Sequence, residues 1–161
     1  MENTGEKIAA VIKTLRKSGI ACHLFGGWAE ELLGLREPSR HGDIDLIYCG
    51  ENFEHFDGVL KTLPEFAEVP LKRFRHKRAF QFLGTLCEVT LVQGPEERPT
   101  TLLWGDVPYA WRTPLLHGEQ VRIGMELISV VSQANLEQYR VRHKATEPHR
   151  WREPQSLAPY A

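Results

Sequence analysis

Asp43 and Asp45 stand two positions apart in the segment of residues 40–47. On a β-strand, side chains two positions apart point to the same face, while Ile44 and Leu46 would point to the opposite face and into a core. Carboxylate oxygens are the ligands that Mg²⁺ prefers, and the phosphates of a substrate can complete its coordination. The spacing therefore predicts a shared metal site, although an isolated Asp-x-Asp pair is more often a solvated strand edge or turn.

A Gly26-Gly27 pair precedes these aspartates and follows an apolar run at residues 20–25. Apolar residues at helical spacing begin again at Trp28. Glycine lets the backbone approach a phosphate closely, and the start of a helix offers N–H groups without backbone partners. Alone, the pair is more often a simple tight turn, but together with the downstream acids it predicts a triphosphate-binding turn.

Glu88 lies within the apolar run of residues 86–92. A lone buried charge is costly, so an acid in such a run indicates metal binding or catalysis. The alternative is a strand residue on a solvated face, with Cys87 and Val89 buried and Thr90 as its same-face neighbour. We predict that Glu88 is the third acid of the site.

The basic run of residues 72–78 permits three interpretations. It is a solvated hairpin, a contact to the phosphates of a nucleotide, or a contact to a nucleic-acid backbone. The formal net charge of −1 argues against a broad basic surface, so a nucleic-acid partner is the least favoured of the three. Within the run we favour Arg75 and Arg78 as nucleotide contacts, because they lie at the turn between two predicted strands.

The elements that position these residues are predicted from apolar periodicity and from the places of glycine and proline. Helices are predicted at residues 6–17, 28–35, 52–63 and 125–143. Strands are predicted at residues 20–25, 43–49, 68–74, 78–83, 86–92, 109–112 and 120–123. The tail beyond the last helix is expected to pack poorly.

Length and composition fit one globular domain, since 161 residues can bury a single core. We divide the chain into residues 1–124 and a C-terminal helix with its tail, residues 125–161, packed on the same domain. No apolar run is long enough to span a membrane, and the N-terminal residues lack the features of a secretion leader, so a cytoplasmic location is expected. The three cysteines are expected to be buried and reduced.

Two motifs resemble the polymerase-β-like nucleotidyltransferase superfamily. Residues 26–34 read Gly-Gly-Trp-Ala-Glu-Glu-Leu-Leu-Gly, and residues 41–46 read His-Gly-Asp-Ile-Asp-Leu. They are most similar to the lincosamide and aminoglycoside 2″-nucleotidyltransferases. The resemblance implies an α/β fold of the α+β kind, in which helices flank a mixed β-sheet and a short helix lies at the C-terminus. It also implies that residues 121–128 form a strand-to-helix segment behind the site.

The resemblance implies a role for each motif residue. The implied metal ligands are Asp43, Asp45 and Glu88, and Glu88 would also be the general base. The implied nucleotide contacts are Gly26, Gly27, Arg40 and His41, to which the basic run adds Arg75 and Arg78. The chain departs from the family pattern in carrying Glu31 and Glu88 where aspartate is commoner.

The implied reaction transfers a nucleoside monophosphate, with ATP the favoured donor, to a hydroxyl of a small acceptor such as an aminoglycoside or lincosamide antibiotic. Two Mg²⁺ ions would align an in-line displacement from which pyrophosphate leaves. The alternative is a catalytically degenerate member that serves as a nucleotide-binding or regulatory module, for instance in a toxin–antitoxin pair. A homodimer whose second subunit completes the acceptor pocket is also left open.

Overall fold

The computed structural model describes residues 4–146 and 155–156, and its centre is a five-stranded mixed sheet. The described strands are β1 (Cys22–Phe25), β2 (Ser39–Arg40), β3 (Ile44–Cys49), β4 (Phe66–Glu68), β5 (Lys77–Phe82), β6 (Thr85–Val92), β7 (Thr100–Leu103), β8 (Val107–Ala110), β9 (Val121–Ile123), β10 (Glu126–Ile128) and β11 (Gln155–Ser156). The central sheet has the order β1-β3-β6-β5-β4. Strands β3 and β6 run parallel, and the other neighbouring pairs run antiparallel.

The helices of the described residues flank this sheet. They are α1 (Gly5–Lys17), α2 (Gly26–Leu32), α3 (Glu54–Leu60) and α4 (Gln133–Thr146). Helix α1 forms because apolar residues recur on one side of it, and its buried residues are Ile8, Val11, Ile12 and Leu15. A mixed sheet with flanking helices confirms the predicted α+β class.

Side-chain alternation gives the central sheet one apolar face and one face that carries the acids. On the apolar face, the ring of Phe80 lies 6.2 Å from the ring of Phe56 of α3, and Val89 is fully buried. Asp45 and Glu88 lie opposite each other in the parallel β3–β6 pair and therefore share the other face. The fold thus places both acids on the side of the sheet away from α3.

Aromatic side chains cover the acid-bearing face at the β1 edge. Phe25 pairs with Asp45 in the β1–β3 register, so its ring lies on the same face as that carboxylate. The ring of Phe25 makes edge contacts with Trp111 at 5.5 Å and with Tyr139 of α4 at 4.9 Å between centroids. Helix α4 therefore packs on the same side of the sheet as the acids.

Three further strand pairs lie outside the central sheet, and each is antiparallel. They are β2 with β11, β7 with β8, and β9 with β10. The β9–β10 pair corrects the sequence prediction, because the helix expected from residue 125 begins only at Gln133. Gly124 turns the chain between the two strands with a φ of +59°, which glycine adopts readily, so residues 121–128 form a hairpin and not a strand-to-helix segment.

The strand predicted at residues 68–74 is also wrong, because it overlaps β4 only at Glu68. Strand β4 ends at Glu68, and Pro70–Lys72 forms a single 3-10 turn. Proline has a fixed φ and no N–H to donate to a sheet, which explains why the strand does not continue. Among the cysteines, Cys22 and Cys87 are buried as expected, whereas Cys49 at the end of β3 is exposed.

The C-terminal tail falls largely outside the residues that the structure describes. Only the backbone pairing of Gln155–Ser156 with Ser39–Arg40 is described there, so the expectation of a poorly packed tail concerns residues outside the described range. Within the described residues, none of the helices is long and apolar enough to cross a membrane.

Candidate active site

The structure brings the three predicted acids together. Asp45 on β3 lies opposite Glu88 on β6, and Asp43 directly precedes β3 on the same face. One carboxylate oxygen from each of the three residues lies within 4.8 Å of the other two. The parallel pairing of β3 and β6 therefore brings acids that are far apart in sequence into one cluster of oxygen ligands. The sequence predicted that these three acids belong together.

Burial and mutual repulsion act on the two aspartates. Burial raises the pKa of Asp45 well above its ordinary value, and the neighbouring charges of Asp43 and Glu88 raise it further. The pKa of Asp43 is also raised, first by burial and then by Glu88. The metal-free cluster thus disfavours the ionised aspartates, and a bound cation would relieve this repulsion.

Glu88 is in a different electrostatic situation because two lysines bind it. Lys77 Nζ lies 2.7 Å from Oε2, and Lys72 Nζ lies 2.5 Å from Oε1. Burial acts to raise the pKa of Glu88, but Lys77 and Lys72 outweigh it and leave this pKa below its ordinary value. Glu88 is therefore ionised at neutral pH.

Sequence reasoning singled out the basic run and favoured Arg75 and Arg78 as nucleotide contacts, but it did not single out Lys72 and Lys77, which bind the acid cluster. Lys77 pairs with Thr90 in the β5–β6 register, and Thr90 is two positions from Glu88, so strand alternation was a usable signal for Lys77. Lys72 sits on the 3-10 turn, for which no periodic signal exists.

Arg75 and Arg78 are not among the residues that bind the acids. Arg78 adjoins Lys77 on β5 and so points to the opposite face, where its Nε donates to Asp57 Oδ1 at 2.9 Å. Arg75 is exposed and its guanidinium donates to the Gly105 carbonyl at 3.4 Å. Arg40 lies on β2 with an exposed side chain. Their assignment as nucleotide contacts stays a prediction.

A cavity of about 280 Å³ lies near Arg78 but is not part of the acid cluster. It is formed between α3 and the β4–β5 strands, and its charged lining includes Asp57, Arg73 and Arg78. Asp57 accepts hydrogen bonds from both arginines at 2.9 Å. The charged side chains that line the cavity therefore pair with one another.

Gly26 is the first residue of α2, directly after β1, and lies against the Asp45 carboxylate. Its φ of +68° lies in the left-handed region, and a Cβ built on it would be 2.9 Å from the Cβ of Asp45 and would overlap the carboxylate. Glycine is therefore required for two reasons, backbone conformation and the close approach of the acid.

Gly26→Ala should lower both stability and metal affinity. We expect a loss of about 2–4 kcal/mol in the free energy of unfolding, the sum of left-handed strain and steric overlap. Gly34→Ala is the matched control, because Gly34 has a φ of +74° and nothing within 4 Å of a built Cβ. Chemical denaturation and calorimetric Mn²⁺ titration of both variants check the prediction. Equal metal affinities in the two variants would contradict a steric role for Gly26 at Asp45.

Gly27 makes a similar close contact with His41. A Cβ on Gly27 would be 2.9 Å from His41 Nδ1. The imidazole packs against Trp28 with 4.3 Å between ring centroids and a tilt of 33° between the ring planes, and its Nε2 lies 3.4 Å from a carboxylate oxygen of Glu31. His41 thus holds the segment before Asp43 against the start of α2, which is a supporting position next to the acids.

Helix α2 is fixed to α4 by a buried ion pair that the sequence did not reveal. The Glu30 carboxylate accepts two hydrogen bonds from Arg140, from Nε and from Nη2, both at 2.8 Å. Arg36 Nε lies 3.4 Å from the same carboxylate. Because α2 begins at Gly26, this pair helps to set the position of the glycine turn beside the acids.

The donor set of the cluster fits a hard divalent cation. Three carboxylates from two adjacent strands offer only oxygen ligands, which suits Mg²⁺ better than a soft metal. The ammonium groups on Glu88 show that the cluster already attracts positive charge. The cluster is thus chemically able to bind a divalent cation that also contacts phosphate oxygens.

Comparison with solved structures identifies the fold. ANT(2″)-Ia in complex with adenylyl-2″-tobramycin superposes with a TM-score of 0.64 at 16% identity, over 92% of this chain and 80% of that chain. LnuA, a lincosamide antibiotic adenylyltransferase bound to lincomycin, gives a TM-score of 0.65 at 12% identity, over 86% and 87% of the two chains. No protein-family model matches the sequence, and no curated protein matches it in sequence.

At these identities the likeness establishes the fold. It confirms, at the level of the fold, the resemblance that the two sequence motifs predicted. The mixed sheet that carries the acids therefore belongs to a fold shared with these two structures.

Proposed function

We propose that this chain is a Mg²⁺-dependent nucleotidyltransferase that moves a nucleoside monophosphate, with ATP the favoured donor, to a hydroxyl of a small molecule. The observation that carries the proposal is the cluster of Asp43, Asp45 and Glu88 on adjacent parallel strands, next to the Gly26-Gly27 turn. A fold alone does not determine activity, whereas a cluster of acids in this arrangement provides the chemistry of phosphoryl-group transfer.

The three carboxylates would hold Mg²⁺, two ions in our proposal, which when bound supplies charge neutralisation and alignment of the phosphates. Gly26 and Gly27 carry no side chains, so the backbone there is open to a triphosphate. His41 packs against Gly27 and keeps this turn in register with β3. The chain would thus present the α-phosphorus to an attacking hydroxyl.

In the proposed reaction the acceptor oxygen forms a bond to the α-phosphorus, and the bond to the bridging oxygen of pyrophosphate breaks. The hydroxyl proton would pass to a carboxylate oxygen of Glu88, which is ionised at neutral pH in the metal-free protein. Most of the rate enhancement would come from positioning and charge stabilisation and less from proton transfer.

For the acceptor we propose a hydroxylated small molecule of the aminoglycoside or lincosamide kind. This is supported by the neighbours, since one is in complex with adenylyl-2″-tobramycin and another is bound to lincomycin. The preferred base of the donor, a homodimer and a cytoplasmic location remain predictions from the sequence.

A nucleotide-binding module without turnover is the second candidate. The observation that favours it is the occupation of both Glu88 oxygens by lysine ammonium groups. A protein that kept these lysines in place would have no free base for the acceptor hydroxyl and would therefore form no product.

The two candidates differ in product formation. We expect the wild type to release pyrophosphate from ATP only when both Mg²⁺ and a hydroxylated antibiotic are present, and we expect Asp43→Asn to lose this activity. A coupled pyrophosphate assay over a panel of aminoglycosides and lincosamides checks this, with thermal shift as the measure of binding. A Mg²⁺-dependent thermal shift with ATP, without pyrophosphate from any acceptor, would support the binding module instead.

A further inference from the structure

Glu88 has a separate lysine on each of its carboxylate oxygens. Lys72 Nζ is bound to Oε1 and Lys77 Nζ to Oε2, at 2.5 and 2.7 Å. The same carboxylate belongs to the three-acid cluster, with oxygens within 4.8 Å of those of Asp43 and Asp45. Two cationic side chains therefore lie where a divalent cation would be coordinated.

The two lysines are anchored in different ways. Lys77 is a residue of β5 in the central sheet, and 24% of its side chain is exposed. Lys72 closes the 3-10 turn Pro70–Lys72, and 44% of its side chain is exposed. Lysine carries its charge on a flexible four-carbon stem. The ammonium groups, and that of Lys72 above all, are thus able to leave Glu88 while the backbone stays in place.

A divalent cation and the two ammonium groups compete for the same oxygens. Each Glu88 oxygen keeps a second lone pair beside its lysine, but a coordinated cation would lie close to both ammonium groups, and like charges at such short range repel in a partly buried site. We therefore expect at least one ammonium group to leave Glu88 when the cation is coordinated. A nucleotide that arrives with the cation brings phosphate oxygens, which are good partners for a displaced lysine.

We infer that Lys72 and Lys77 are exchangeable counter-ions: they neutralise Glu88 in the metal-free protein and move to the polyphosphate of the nucleotide when a divalent cation takes the carboxylates. This inference rests on the proposed function, because it assigns the lysines to the same nucleotide site. It names a phosphate-binding pair different from Arg75 and Arg78.

Exchange of the lysines predicts a result that a purely structural ion pair does not. Removing a lysine should change the affinity for metal and the affinity for nucleotide in opposite directions. Removing a lysine takes away a competitor for the cation, so affinity for metal alone should rise. It also takes away a phosphate contact, so affinity for nucleotide at saturating metal should fall. A structural ion pair would change stability and leave both affinities as they were.

The experiment measures Mn²⁺ affinity by calorimetry without nucleotide, and ATP affinity at saturating Mg²⁺, in Lys72→Met and Lys77→Met. We expect Mn²⁺ to bind about threefold to tenfold more tightly and ATP about threefold to tenfold more weakly, the range expected for one partly exposed ion pair. Lys17→Met, an exposed lysine of α1, controls for the change in net charge. Lys72→Arg, which keeps the charge, should restore wild-type ATP affinity.

Unchanged Mn²⁺ affinity in both methionine variants, with normal binding to the wild type and loss in Asp43→Asn, would overturn the exchange and leave the proposed function standing. Tighter Mn²⁺ binding without weaker ATP binding would also overturn it. If the wild type bound neither Mn²⁺ nor ATP, the proposed function itself would be wrong. Circular dichroism of each variant confirms that a change in affinity does not come from unfolding.

Discussion

Asp45→Asn should abolish nucleotidyl transfer and at the same time make the metal-free protein more stable. Activity should fall by about 10³-fold, because the asparagine amide keeps the shape of the carboxylate but provides neither its charge nor its second ligand oxygen. Asp45 lies opposite Glu88 in the β3–β6 pair, so the change removes the central acid of the cluster.

The gain in stability follows from the sign of the pKa shift. Burial, then Asp43 and Glu88, raise the pKa of Asp45 well above its ordinary value of 3.8. The folded state then holds the proton more tightly than the unfolded state, so this carboxyl contributes its full stability only below about pH 4. That contribution is lost as the pH rises through the raised pKa. Asparagine does not ionise, so it avoids this loss.

The measurement is urea denaturation of the wild type and Asp45→Asn in EDTA between pH 4 and pH 8. The two should be nearly equal at the acid end, and the variant should become progressively more stable toward pH 8. Added Mg²⁺ should stabilise only the wild type. Asp106→Asn, at an exposed aspartate between β7 and β8, is the matched control and should change neither activity nor the pH profile. A less stable Asp45→Asn at pH 8 would contradict the repulsion argument.

The acid cluster was predictable from the sequence because strand periodicity is a local property. Asp43 and Asp45 alternate with Ile44 and Leu46, and the structure buries both apolar residues fully. Glu88 stood out as the acid in an apolar run. What the sequence did not contain was the parallel pairing that puts Asp45 opposite Glu88, and the family resemblance implied only that Glu88 joins the two aspartates.

The errors arose where local patterns are short or ambiguous. Residues 121–128 contain two three-residue strands around a glycine, which is too little for alternation to outweigh an apparent helical spacing. Lys72 reaches Glu88 from a 3-10 turn, and the packing of that turn decides where the lysine side chain points. No rule of residue spacing predicts this direction. Arg78 was favoured for its place at a predicted turn, whereas the structure places it on β5 next to Lys77, with its side chain on the face opposite the acids.

The Glu30–Arg140 pair could not be predicted from local sequence patterns either. Its partners lie 110 positions apart and meet only through the packing of α2 on α4. Only 6% of the Glu30 side chain and 17% of the Arg140 side chain are exposed. A buried carboxylate that loses its partner carries a large desolvation cost. This pair is therefore the ion pair whose loss we expect to cost the most stability.

Arg140→Met should lower the free energy of unfolding by about 2–3 kcal/mol, somewhat less than for a fully buried pair because Arg36 remains 3.4 Å from Glu30. Glu30→Gln should cost less, since Arg140 is partly exposed and can be solvated. The double variant should recover stability relative to Arg140→Met, because it no longer buries an unpaired charge. Denaturation of all three variants measures this difference. A double variant less stable than Arg140→Met would show that the two residues contribute independently.

The Glu30 and Arg140 variants also distinguish the role of the glycine turn from the role of the acid cluster. Glu30 lies in α2, which begins at Gly26, whereas Asp43, Asp45 and Glu88 belong to the β3–β6 region of the sheet. Loosening α2 should therefore weaken ATP binding at saturating Mg²⁺ while Mn²⁺ affinity without nucleotide stays close to wild type. If Arg140→Met lowered the affinities for ATP and for Mn²⁺ together, α2 would also position the acids. The contact between Gly26 and Asp45 would then link the helix to the acid cluster.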